Sequence, residues 1–220
     1  MIRVAILQVA LDLTDLTKVL ELSVEIASIT RCESIWLEAG TPLIKSLGRL
    51  AVKTLKDLSG CFVVADTKTI DVPKIEASMM FEAGADAYTV LAVAEDDVIR
   101  EAVDTARSYG KSVIADLISH PRPLQRAHEL HRLDVDAVTY HIGISVQKAR
   151  GLRVVDLLNE AVKIKRETSL KVAVAGGIKP EDVRKIVEEG IDIIIMGNAI
   201  TSAKKPVDVV MRVLTNMKHA

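Results

Sequence analysis

Aromatic side chains are scarce in this sequence: one Trp, two Phe and three Tyr make up 3% of its 220 residues. A core without them must be built from Val, Ile, Leu and Ala, the residues that fill parallel strands buried on both faces. Cysteine is nearly absent too, with only Cys32 and Cys61. Neither a disulfide framework nor a zinc site is therefore expected, and a reduced, cytoplasmic protein is the simplest reading. No stretch is apolar for long enough to span a bilayer. The apolar start MIRVAILQVALDL lacks a basic flank, a longer hydrophobic stretch and a cleavage site, and it carries Gln8 and Asp12. It reads as a first strand and not as a signal peptide. An excess of one charge is missing as well. The 29 basic and 30 acidic residues leave a net charge of −1, which gives no field for nucleic acid or an anionic membrane and favours a small substrate. Only three Asn and three Gln occur, a lean towards a thermophilic source.

What the chain does have is alternation. Short runs rich in Val and Ile recur at residues 4–12, 34–40, 61–68, 87–93, 112–118, 137–143, 170–177 and 191–197. Charged segments of helical period separate them, among them EDDVIREAVDTARSYG and KPEDVRKIVEEG, both closing on Gly. The phrases EAGAD (82–86) and EEGID (188–192) repeat one junction: helix end, Gly, then an acidic residue entering the next strand. Eight βα units with right-handed crossovers predict a single (β/α)₈ TIM barrel over residues 1–220. An open doubly wound sheet fits less well, because no G-x-G-x-x-G follows the first strand.

In such barrels chemistry sits at the C-terminal ends of the strands. Those ends carry Asp12, Glu38, Asp66 with Lys68, Asp116, His141, Gly176–Gly177 and Gly197–Asn198. Any one acid there could be a helix N-cap. The whole set reads as a site, because like charges at close range are costly unless a cation relieves them. In D-T-K-T-I-D (66–71), residues two apart share a face, so Asp66 and Lys68 both point at the mouth and Asp71 falls in the next loop. Two carboxylates, Glu38 and Asp66, with water and substrate oxygens are a donor set that Mg²⁺ accepts, and Mn²⁺ would suit it as well. A Glu38–Lys68 salt bridge is the competing role for Glu38. The small residues of A-V-A-G-G-I and M-G-N-A-I let backbone N–H groups approach a phosphate after strands seven and eight. Blander readings suffice elsewhere. His128 and His131 belong to a surface face, Trp36 and the cysteines to packing, and His120 to a loop with no evident partner.

The stretches QVALD (8–12), EAGTPLIK (38–45), ADTKTID (65–71), ADLI (115–118), HIGI (141–144) and AVAGGI (173–178) resemble the orotidine-monophosphate decarboxylase superfamily, in its order and across nearly the whole chain. E-A-G-T-P-L-I-K with H-x-G-I is most similar to the branch that condenses formaldehyde with D-ribulose 5-phosphate in a reversible aldol reaction. That resemblance implies Mg²⁺ on Glu38 and Asp66, and positive charge from Lys68 beside an enediolate. It implies proton movement by His141, a steering role for Asp116 and hydroxyl contacts from Asp12. Gly176, Gly177, Gly197 and Asn198 would surround the phosphate. It also implies a homodimer with shared sites, Asp71 reaching into the partner's.

A sister branch, the 3-keto-L-gulonate-6-phosphate decarboxylases, carries Glu on strand five and Arg three residues after the strand-six His. Here those positions hold Asp116 and Ile144, which argues against decarboxylation. Many synthases, conversely, have Asp where this chain has Ser145, and Asn198 replaces an Arg or Gly common in relatives. Two further alternatives are a Schiff base on Lys68 and a non-catalytic sugar-phosphate-binding barrel. The first is disfavoured because flanking Asp66 and Asp71 would keep the amine protonated.

Overall fold

Eight parallel strands close in sequence order into a barrel, the first pairing with the last from Ile6↔Ile193 to Val9↔Met196. The computed structural model describes residues 5–151 and 158–218. Its strands are β1 (Ile6–Leu11), β2 (Ile35–Ala39), β3 (Phe62–Thr69), β4 (Ala87–Leu91), β5 (Ser112–Asp116), β6 (Ala137–His141), β7 (Lys171–Ala175) and β8 (Ile193–Met196). Each falls in one of the eight expected runs, β3 extending one residue beyond its own.

The crossovers are α1 (Leu16–Thr30), α2 (Thr41–Leu47) with α3 (Arg49–Ser59), α4 (Pro73–Glu82), α5 (Asp96–Ser108) and α6 (Pro123–Arg132). They continue with α7 (Ile144–Arg150), α8 (Leu158–Glu167), α9 (Val183–Glu188), α10 (Asn198–Thr201) and α11 (Pro206–Lys218). Helix α5 shows why these segments coil: Ile99, Ala102, Val103 and Ala106 are buried at helical spacing. Asp96 and Asp97 in its first turn and Arg107 in its last complement the helix dipole. None of the described helices is long and apolar enough to cross a membrane.

Strand alternation divides the buried apolar residues into two bodies. Outward residues such as Leu7, Val9 and Leu11 join the helices in one large core. Inside the barrel a much smaller body contains Val64, Ala87, Ile114 and Ala137, against which Trp36 and Phe62 pack. Those two rings stack at 4.1 Å between centroids, so Trp36 is the packing residue expected of it. The polar residues one layer above this plug, Asp66, Thr89 and Asp116, lie at the open end of the barrel.

The opposite, N-terminal rim explains the repeated junction. Asp86 precedes β4, its backbone N–H donates to Val63 O, and its carboxylate accepts from Val63 N and from Lys56 and Lys111. Asp192, before β8, makes the same pair of bonds to Val172 and accepts from Lys165. A third copy escapes the sequence pattern. Asp136 pairs with both backbone groups of Val113 and with Arg107, and Asp134 takes glycine's left-handed place before it at φ 61°. Each unit takes its cation from the helix before the odd strand, so charge, helix and two strands are tied at one point.

Before β2 the corresponding residue is Ser34, without a carboxylate. Close by, Cys32 and Cys61 form a disulfide with Cα atoms 5.3 Å apart. This corrects the expectation of reduced thiols. Two cysteines 29 residues apart carry no distance information in sequence, whereas the fold seats the turn after α1 beside the start of β3.

Candidate active site

Strand β3 reaches the mouth with a kink. Its register against β4 shifts between Ala65 and Thr69, and Lys68 takes the left-handed conformation at φ 50°, which is strained for a non-glycine residue. Asp66 and Lys68 therefore meet through an irregularity and not through plain alternation. The kink is pinned by Thr89 of β4, whose hydroxyl accepts from Lys68 N at 2.9 Å and donates to Asp66 Oδ1 at 2.9 Å.

Lys68 Nζ lies 2.5 Å from Asp66 Oδ2 and 3.5 Å from Asp116 Oδ2. It makes no ion pair with Glu38, so the salt-bridge role considered for Glu38 is not the one adopted. Burial alone would raise the Asp66 pKa, but the Lys68 charge and hydrogen bonds from Lys68, Thr41 and Thr89 outweigh it and hold it below the usual range. Burial likewise works against the Lys68 charge, and Asp66 and Asp116 reverse that, raising its pKa. A lysine held this firmly as an ammonium is a poor Schiff-base nucleophile.

Glu38 is shifted the other way from Asp66. It is buried at the end of β2, and desolvation followed by the Asp66 charge push its pKa well above the ordinary value. Its hydrogen bond is from Gln8 Nε2 to Oε2, at 2.5 Å. Asp12 follows β1 in a slot where Gly40 and Gly197 leave room: a Cβ on Gly40 would collide with its carboxylate, and one on Gly197 would come within 3.3 Å. The Asp12 carboxyl keeps one side open at the mouth, while desolvation by the wall and the Asp66 charge raise its pKa against Lys68 and His141.

Asp116 closes β5 and accepts from Ile118 N at 2.9 Å through Oδ1. Its Oδ2 lies 2.9 Å from Nδ1 of His141 at the end of β6. That bond fixes the imidazole and leaves Nε2 as the nitrogen for other partners. Asp12, Glu38, Asp66, Lys68, Asp116 and His141 thus form one electrostatic cluster, as the strand ends predict.

The glycine turns lie on the same rim. Gly176 and Gly177 both have positive φ, 116° and 61°. Any Cβ there would overlap the Gln147 carboxamide, and on Gly176 also the Ile142 carbonyl. Gln147 donates to that carbonyl at 2.6 Å, so it ties α7 to the end of β6 beside the turn. Asn198 is exposed, its Oδ1 accepting from Ser202 at 2.6 Å. Asp71 stands outside the cluster, exposed in the loop before α4, its carboxylate accepting from Val72 N. His120 has a partner after all: Nδ1 accepts from Arg122 N at 3.2 Å. It lines a separate cleft of about 200 Å³, whose Arg126 is already paired with Asp96 and Glu129.

Sequence reasoning missed Gln8, Thr41, Thr89 and Gln147. Uncharged residues inside apolar runs leave no periodic signature; for Thr41, its place three residues after Glu38 was the one available signal.

Residues 5–213 match the sequence profile of the Orotidine 5'-phosphate decarboxylase / HUMPS family. The chain belongs to that family. Among curated members, the protein named 3-hexulose-6-phosphate synthase 2 from Staphylococcus saprophyticus is 38% identical over 203 residues, 92% of either chain. The solved structure of 3-hexulose-6-phosphate synthase from Salmonella typhimurium superposes with a TM-score of 0.88 at 30% identity, over 97% of this chain and 98% of that one. The 3-keto-L-gulonate-6-phosphate decarboxylase of Vibrio cholerae gives 0.84 at 27% identity, covering 98% of both. The family is catalytic, and its members share the (β/α)₈ barrel described above.

Proposed function

We propose that this chain is a 3-hexulose-6-phosphate synthase, joining formaldehyde to D-ribulose 5-phosphate to give D-arabino-3-hexulose 6-phosphate, reversibly. The observation that carries the reading is the mouth cluster, in which four carboxylates share Lys68 and His141. It supports the synthase that the 38% identity suggests. In the forward direction a proton leaves C1 of the pentulose, the resulting enediolate carbon bonds to the formaldehyde carbon, and the former aldehyde oxygen takes up a proton.

His141, oriented by Asp116, is suited to move those protons through Nε2, since general acid–base work needs a fixed imidazole. Lys68, kept charged by Asp66 and Asp116, places a preorganised ammonium where oxyanion charge develops. Asp12 and Asp116 have carboxylate oxygens for substrate hydroxyls. Gly176, Gly177, Gly197 and Asn198 offer an open backbone rim to the phosphate.

A divalent cation fits Glu38 and Asp66. The Asp66 charge acts on Glu38, and burial leaves Glu38 short of compensating charge. Among the described residues no group of three or more His, Cys, Asp or Glu forms a ready ligand cage. Mg²⁺ is commonly held by one or two carboxylates, with water and substrate oxygens completing its shell. When bound there, such a cation would supply Lewis-acid charge to substrate oxygens.

We also propose a homodimer with shared sites. Asp71 sits between Ile70 and Val72, exposed by 55% and 49%, with Ile75 at 68% beside them. That is an apolar surround suited to a second copy. Cytoplasmic placement is part of the reading, and a disulfide there matches intracellular proteins of hyperthermophiles.

The test is formation of a hexulose 6-phosphate from formaldehyde and ribulose 5-phosphate, followed by NMR, with added Mg²⁺ and after EDTA. Metal-dependent product supports the proposal. Turnover that survives complete metal removal would sink the Glu38–Asp66 site, and release of CO₂ from 3-keto-L-gulonate 6-phosphate in place of the aldol reaction would make the chain a decarboxylase.

A further inference from the structure

Glu38 and Asp66 lie on neighbouring strands at the mouth of the barrel, yet they are held in different ways. Asp66 accepts from Lys68, from Thr41 and from Thr89, so both its oxygens are engaged. Among the described residues Glu38 accepts one side-chain hydrogen bond, from Gln8 Nε2 to Oε2. Gln8 sits two residues below Ala10 on the inner face of β1, beside Trp36 on β2 and Ile195 on β8, and is 1% exposed. Its own Oε1 has no hydrogen-bond partner among the described residues.

A carboxamide with one polar end stranded is an unfavourable core residue. Met or Leu would fill the volume without a lone acceptor. What the amide does achieve is a fixed grip on one oxygen of Glu38.

We infer that Gln8 is a positioning residue, holding Glu38 by Oε2 so that Oε1 alone is presented to a divalent cation; this rests on the metal reading above. A carboxylate held by one oxygen is a one-point ligand. Mg²⁺ and Mn²⁺ accept such ligands in octahedral shells, whereas Ca²⁺ takes six to eight oxygens and often both from one carboxylate. Gln8 therefore also biases the site towards small octahedral ions and against Ca²⁺. Groups that hydrogen-bond a metal's ligands in this way commonly govern its affinity.

The experiment uses the full chain as wild type, Gln8→Met and Gln8→Leu, each stripped of metal. Mn²⁺ is titrated in while the free ion is followed by electron paramagnetic resonance, and Mg²⁺ and Ca²⁺ are then competed against it. The expected result is a Mn²⁺ Kd raised about 10- to 100-fold and a narrowed preference for Mg²⁺ over Ca²⁺. Unchanged Mn²⁺ affinity in the variants would overturn the inference. So would weaker Mn²⁺ binding with an unaltered Mg²⁺/Ca²⁺ preference, which would assign Gln8 to packing. If Gln8→Leu does not fold, Gln8→Met, which keeps the chain length of Gln, decides alone. Failure of the wild type to bind Mn²⁺ would instead remove the metal reading, an outcome separate from the other two.

Discussion

The two ends of the barrel use the same residue types to opposite effect. At the base, Asp86, Asp136 and Asp192 each have at least one cation of their own and a backbone N–H to accept from. At the mouth, Asp12, Glu38, Asp66 and Asp116 share Lys68 and His141. For Asp86, burial would raise the pKa, but hydrogen bonds from Lys111, Lys56 and Val63 N bring it below the ordinary value. For Glu38 burial wins. Asp86 therefore favours the folded state when charged, and the mouth acids Glu38 and Asp12 oppose it. Satisfied charge at one end secures the fold, while uncompensated charge at the other is the signature of a binding site.

The comparison is broken most severely at Asp66. Asp66→Asn removes the proposed metal ligand and the main partner of Lys68, and synthase turnover should fall by about 10³-fold or more, as read from initial rates of formaldehyde consumption. Asp86→Ala should do the reverse, with kcat within about twofold of wild type and unfolding in urea weakened by roughly 2–4 kcal/mol as Lys56 and Lys111 lose their carboxylate. Asp116→Asn lies between the two. The His141 imidazole loses its charged partner, so kcat should drop about 10- to 100-fold with little change in the midpoint.

The smallest effect is the one that separates the ends by sign. Asp86 has a lowered folded pKa, so its contribution is present above its unfolded value near 3.8 and is lost as pH falls through the folded pKa. Glu38 has a raised folded pKa, so it costs nothing below about 4.5, and its penalty grows as pH rises from there towards the folded pKa. Urea midpoints of metal-free protein between pH 3 and 8 should show the Asp86→Asn deficit closing at low pH. A deficit of constant size across that range would contradict the base assignment.

How much of this could be read from the chain follows the same division. Strands and mouth acids were legible because apolar runs ending in charge are local patterns. The third base junction was not, because Asp134 stands where the pattern led one to look for Gly. Lys68 was placed at the mouth correctly, but by plain alternation, whereas a kink pinned by Thr89 brings it there. The Cys32–Cys61 bond and the Gln8–Glu38 contact join residues about 30 apart, and only closure of the barrel sets such distances. Asp71 was expected in a partner's site, and its exposed place outside the cluster is compatible with that.

One substitution tests the contrast most directly: Glu38→Gln, measured for hexulose 6-phosphate formation with Mg²⁺ and for urea unfolding without metal at pH 7. The account predicts a variant that is nearly inactive yet more stable than wild type, because a buried, uncompensated charge has been removed while a ligand has been lost. A variant that keeps turnover, or one that is less stable than wild type, would contradict it.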